Sequence, residues 1–388
     1  MTTRKTIVID ATPILGSSGH RGIGRMAYDL LHGLEAIRDE WRDDLDLRVV
    51  TDLSWTGGTV DREPGAAAEK VYATRGREGK LLVHRRRLLL DSVVEREGAH
   101  LLHMVEALGV PLTRRVPRVV TCHDLIPLRL PDEYLGYGAK RIVQRPADTF
   151  RYRSAERVVA ISRRTADDVR TLLHVDPAKI DVVPNGIDLA QWTSTVPSTD
   201  AERLRALGLG DRPFVVYVGW RDRRKDLPTM VRAVTEAGVD LLWVGQLNAR
   251  DHRLIRWQMF KERVSLDRVR FAGFVSTPDL AVLYRHALAH LFLSRLEGFG
   301  ISVAEAMASG CPVILAQDSG TDEVGGDAVF AVPQGDAGAA AAAMRRLLSD
   351  PSERTRRHDI GIARAHEFSR DAMARGYLGA WRRALHLP

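Results

Sequence analysis

The stretch EGFGISVAEAMASGCP, residues 297–312, obeys neither of the simple periods of regular structure. It is not amphipathic along its whole length as a surface helix would be, and it does not alternate as a half-buried strand does. Two glutamates, Glu297 and Glu305, stand eight residues apart, with the glycine-flanked Phe299 and a run of small residues between them. The segment AHLFLS (289–294), just upstream, reads as a strand. A helix starting near Gly300 would follow, so the amides of Gly298, Phe299, Gly300 and Ile301 would form its unpaired N-terminus. Such amides, with the helix dipole behind them, suit phosphate or sugar oxygens, and glycine lets a ligand approach the backbone closely. Glu305 falls on the second turn and Glu297 ahead of the helix. A carboxylate accepts two hydroxyls at once, which suits ribose or hexose diols.

Strand followed by helix is the pattern of the whole chain. TIVID, LDLRVVT, RVVTCHD and RVVAIS recur in the first half, and FVVYVG, DLLWVG, RVRFAG, AHLFLS, CPVILA and AVFAV in the second. Apolar-periodic segments such as GRMAYDLLHGLEAI and LPTMVRAVTEAG separate them. Repeated strand–helix units predict parallel sheets covered on both faces, and two such sheets in series predict a bilobal α/β protein. The boundary is expected within VVPNGIDLAQWTSTVPSTD (182–200), where proline, glycine and serine break the apolar period. The domains expected are 1–189 and 190–370, with 371–388 a terminal helix crossing back to the first domain. Periodicity alone does not choose its lobe.

The chain has 388 residues and a net charge of +7, divided as +3 before residue 190 and +4 after it. A nucleic-acid binder concentrates its charge on one segment, so this even division argues against one. The run HRRRLLL (84–90) reads as a solvated helix face. Two cysteines, Cys122 and Cys311, exclude a disulfide framework and offer no metal spacing. No apolar run reaches the length of a membrane span. A reducing cytoplasm is the expected location, with a peripheral place at the inner membrane face left open.

In parallel sheets ligands gather at the carboxyl ends of strands, and three further candidates lie there. WRDRRKDLP (220–228) follows FVVYVG and brings Arg221, Arg224 and Lys225 to a strand mouth, where cations suit a diphosphate. Alone, a solvated basic loop would be the better reading; beside an anion-ready helix start the functional reading gains. RVVTCHDLIP places His123 and Asp124 at a strand end, where a substrate contact competes with a satisfied histidine beside a capping aspartate. GIGRMA contains Gly22 and Gly24 and formally matches a dinucleotide fingerprint. Gly22 lies too far beyond its strand for that motif, so an NAD enzyme is the weaker alternative.

Together these residues resemble the family-4 retaining glycosyltransferases. EGFGISVAE matches that family's E-x7-E motif, and YVGWRDRRKDLP, VVPNGID, SAERVVAISRRTADDV, HDLIPL and GIGR look familiar in the same order. The resemblance spans nearly the whole chain. It implies the GT-B architecture, two Rossmann-like parallel-sheet domains facing a central cleft. It also implies transfer of a hexosyl group from a nucleotide diphosphate sugar, with retention and without metal or cofactor. By that similarity Glu297 faces the donor sugar, Gly298 to Ile301 hold sugar and phosphate, and Glu305 binds ribose. Lys225, helped by Arg221 or Arg224, holds the diphosphate, and Gly22 and Gly24 approach it from the other lobe. His123 touches the transferred sugar, and Val275 in FAGFVSTPDL meets the base. Gly219 departs from the pattern, since the family often carries arginine six residues before the lysine. GIGR tilts the donor toward GDP-mannose. The acceptor, whether carbohydrate, lipid-linked or small molecule, is not encoded in any stretch of these motifs. An epimerase on the same architecture is the nearest enzyme alternative, and weak membrane-surface contact remains open.

Overall fold

The computed structural model describes residues 4–16, 22–55, 57–79, 81–209 and 212–387. The chain divides into two compact units, residues 1–187 with 368–388, and residues 188–367.

The first unit is built on strands β1 (Lys5–Asp10), β2 (Leu45–Ser54), β3 (Gly57–Asp61), β4 (Leu101–Met104), β5 (Arg118–Cys122), β6 (Arg157–Ala160) and β7 (Ile180–Val182). They pair in the order β3-β2-β1-β4-β5-β6-β7. Every pairing is parallel except β2 with β3, so the sheet is not purely parallel as expected; the antiparallel strand closes its edge. The second unit holds β8 (Phe214–Val218), β9 (Asp240–Val244), β10 (Val269–Gly273), β11 (Ala289–Phe292), β12 (Val313–Ala316) and β13 (Phe330–Val332). Their order is β10-β9-β8-β11-β12-β13, all parallel. β4, β5, β11 and β12 are buried at every residue, as parallel strands covered on both faces are.

Helix Arg370–Ala384 belongs to the first unit and packs on helix Gly22–Ala36. Tyr377 and Trp381 are fully buried, their rings 5.1 and 5.4 Å from the His103 ring of β4. Arg370 Nε donates 2.7 Å to the buried Asp29. Gly33 makes the close approach possible, because a Cβ there would sit 2.4 Å from the Arg370 carbonyl oxygen.

The run 84–90 is not simply a solvated face. Arg86, within helix Leu81–Arg96, is 1% exposed and pairs with the fully buried Asp10 at 2.7 Å. Among the described residues no helix is long and apolar enough to cross a membrane.

Candidate active site

Adjacent strands β8, β11 and β12 of the second unit send three loops out from one sheet edge. After β8 the chain makes a short turn, Arg223–Lys225, capped by the Asp222 carboxylate on the Arg224 amide. Asp226 then adopts a left-handed conformation, and helix Leu227–Ala237 begins. After β11 the backbone runs beside that turn, with the Arg295 amide donating 2.7 Å to the Arg224 carbonyl. After β12, the Ser319 carbonyl accepts from the Glu297 amide at 2.7 Å. Glu297 is thus held by backbone bonds before its side chain makes any contact.

That side chain receives two cations. Lys225 Nζ lies 2.6 Å and Arg224 Nη1 2.5 Å from Glu297 Oε1. Lys225 also sits over the Phe292 ring, 4.5 Å from its centroid. Burial raises the Glu297 carboxyl, but Lys225 and then Arg224 outweigh it and hold the group down at about 2. Burial likewise lowers Lys225, against the pull of Glu297. A second carboxylate, Asp222, lies 3.7 Å from Arg224 Nε, so the two cations and two carboxylates of the cluster balance.

The helix beyond is Ile301–Ala308, with Gly300 as its N-cap at φ 95°. A Cβ at Gly300 would lie 2.7 Å from Thr321 Cγ2, so both conformation and space require glycine. The first turn is anchored from below by His290 of β11. Its Nδ1 donates to the Val216 carbonyl at 3.0 Å, and its Nε2 accepts from the Ser302 hydroxyl at 3.2 Å. Burial lowers this histidine to about 4, so the ring is neutral and can play both roles. Glu305 lies on the second turn, 7% exposed.

Lys225, Arg224, Glu297 and the 298–301 backbone therefore converge. Arg221 does not join them; its Nε donates 3.3 Å to Asp251, in the first turn of helix Ala249–Lys261. Asp251 lies beyond the next strand, β9, and draws the guanidinium away. Val275 follows edge strand β10, one residue before Ser276, the cap of helix Thr277–His286. At Gly219 a Cβ would stand 2.5 Å from Tyr217 Oη, a physical reason why this chain carries no arginine there. Sequence reasoning missed His290, Ser319 and Thr321. They lie within buried strand and turn, and nothing in their spacing marks them as supports.

In the first unit, His123 follows β5 directly and its Nε2 donates to the Val105 carbonyl at 2.7 Å. Burial lowers its pKa, opposed by that bond and by Glu106 and Asp124. Gly22 opens helix Gly22–Ala36 and Gly24 is buried in its first turn.

Two family models match the chain, one on each side of the boundary. Glycosyltransferase Family 4 covers residues 20–191 and Glycosyl transferases group 1 covers residues 200–364. Alpha-maltose-1-phosphate synthase of Mycolicibacterium smegmatis is 32% identical over 222 residues, 55% of this chain and 56% of its own length. O-antigen chain mannosyltransferase B of Escherichia coli is 26% identical over 277 residues, 66% of this chain and 68% of its own. The alignment thus spans little more than half of the first of these relatives. Among solved structures, sucrose-phosphate synthase from Thermosynechococcus elongatus matches with a TM-score of 0.73 at 22% identity, over 99% of this chain and 100% of that one. Anabaena HepE in complex with UDP and glucose matches with a TM-score of 0.70 at 17% identity, over 98% and 100%. These likenesses establish the fold as two parallel-sheet α/β domains of the GT-B kind. Residues 20–191 and 200–364 are thus similar, in that order, to the Glycosyltransferase Family 4 and Glycosyl transferases group 1 domains.

Proposed function

We propose that the protein transfers a hexosyl group from a nucleotide diphosphate sugar to an acceptor hydroxyl, retaining the anomeric configuration and using no metal. The observation that carries this reading is the cluster of Lys225, Arg224 and Glu297 beside the start of helix Ile301–Ala308. Its two adjacent cations and the helix dipole both favour a diphosphate, and both would stabilise the charge that develops as the sugar leaves. In this reading Lys225 and Arg224 turn toward the phosphates while Glu297 meets the sugar, and Glu305 binds the ribose. The departing phosphate assists deprotonation of the acceptor.

GDP-mannose is the favoured donor. GIGR supports it, as does the likeness to the E. coli mannosyltransferase. The solved neighbour holding UDP and glucose supports UDP-glucose as the second reading. A thermal-shift panel of GDP, UDP, ADP and TDP separates them, because ligand that binds only the folded state raises the midpoint. The correct base stands out in the wild type, and Lys225→Ala abolishes most of its shift. A uniform response across the panel, or an unchanged shift in Lys225→Ala, overturns the assignment. Weak membrane contact is assigned to helix Ala139–Arg153, which exposes Lys140, Arg141, Ile142, Val143 and Arg145. Co-sedimentation with anionic vesicles at physiological salt tests that.

A further inference from the structure

Arg86 is a charged residue with no place in the donor site, yet it is 1% exposed and saturated with partners. Its Nε donates 2.7 Å to Asp10, the last residue of β1. Its Nη2 donates 2.9 Å to the Glu106 carbonyl, and Nη1 lies 3.4 Å from the Glu106 carboxylate. Asp10 is itself fixed, accepting from the Thr12 amide at 3.1 Å and the Thr12 hydroxyl at 2.5 Å. β1 and β4 are neighbours, with Asp10 opposite Met104. The guanidinium therefore ties together the carboxyl ends of two strands. The turn after β4 closes tightly on its stem: Gly109 has φ 83°, and a Cβ there would lie 2.9 Å from Arg86 Cβ. The residue between Met104 and Glu106 is Val105, whose carbonyl accepts from His123 Nε2 at 2.7 Å.

We propose that Arg86 is a positioning residue that holds the Val105 carbonyl against His123, fixing the ring's angle and its Nε2–H tautomer. The proposal rests on the reading of His123 as a contact of the transferred sugar. A buried ion pair adds little stability over apolar packing of the same volume. What arginine adds here is a rigid fork that serves a carboxylate and a carbonyl together, which a lysine ammonium does not reproduce. With Nε2 committed to Val105, Nδ1 keeps its lone pair as an acceptor for a sugar hydroxyl. The charged and titratable groups facing the ring are Glu106, Asp124 and the buried His103.

The test combines two readouts on the full chain. His123 ring nitrogens are followed by NMR in the wild type, Arg86→Lys and Arg86→Met, with His123→Asn identifying the signals. The wild type shows the Nε2–H tautomer, and both Arg86 variants shift toward a mixture. Nucleotide release is then measured with whichever nucleotide sugar the thermal-shift panel selects. Arg86→Lys loses between about ten- and a hundredfold in turnover at unchanged nucleotide affinity, the scale of a small misplacement. It costs nothing further in a His123→Asn background, since residues acting through one another are not additive. Additive losses, which a merely structural role would give, overturn the proposal, as do ring signals identical to wild type in Arg86→Lys. Full turnover in His123→Asn instead sinks the sugar-contact reading, while the NMR arm still decides whether Arg86 holds the ring. Should Arg86→Met fail to fold, Arg86→Lys carries both arms.

Discussion

Glu297 and Glu305 are equally hidden, at 9% and 7% exposure, but their settings differ. Glu297 is gripped by Lys225 and Arg224 ahead of the helix; Glu305 lies on its second turn. Glu305→Gln is expected to weaken donor and free nucleotide alike, whereas Glu297→Gln leaves free nucleotide nearly normal and lowers turnover by about a hundredfold or more. Calorimetry with the free nucleotide and single-turnover rates on both variants check this; equal loss of nucleotide by both sinks the assignment. A pH effect follows from the same pair. The Glu297 carboxyl sits at about 2 in the folded protein against an ordinary 4.5. Its contribution to stability is therefore complete above about pH 4.5 and is lost as pH falls from there through 2. Glu297→Gln should be less stable than wild type at pH 7, because two buried cations lose their anion. It should also lose less stability between pH 4.5 and 2.5. Urea midpoints across that range measure both.

The element that decides the site is the short helix Ile301–Ala308 with its left-handed glycine cap. Gly300→Ala places a Cβ at φ 95° and 2.7 Å from Thr321 Cγ2. The conformational part costs roughly 1–2 kcal/mol, and the clash adds to it. The expected result is a loss of roughly 2–4 kcal/mol in chemical denaturation, with weaker nucleotide binding as the helix start shifts. Thr321→Ser removes the clashing methyl and should rescue part of the stability but not the conformational part. Wild-type stability in Gly300→Ala would show that the turn yields freely. The motif's glycines and glutamates were legible because both their chemistry and their spacing are local. His290, which bonds Val216 on one side and Ser302 on the other, was not, since its partners come from another strand and another helix.

For the whole molecule, the chain's last twenty-one residues are grouped with its first half. Helix Arg370–Ala384 buries Met373, Tyr377, Leu378 and Trp381 against that unit. Each such side chain is worth roughly 1.5–3 kcal/mol, against a domain stability of about 5–15 kcal/mol. A chain ending at residue 367 should therefore lose the first unit's cooperative unfolding transition, while circular dichroism and calorimetry still find the second. Native-like melting of both transitions in the truncated chain would refute the packing argument.

By itself the sequence determined the alternation of buried strands and helices and the glycine-gated helix after β11. These follow from composition and period, which act over a few residues. It did not disclose β3, β4 and β7. Nor did it disclose that Arg86, in a run that looks solvated, is buried on Asp10 seventy-six residues away. The same holds for the pairing of Lys225 and Arg224 with Glu297 and the diversion of Arg221 to Asp251. Such contacts join loops from strands that are neighbours only in the sheet. Tertiary structure decides them because the partner of a buried charge is chosen by strand order, which no local stretch of chain encodes.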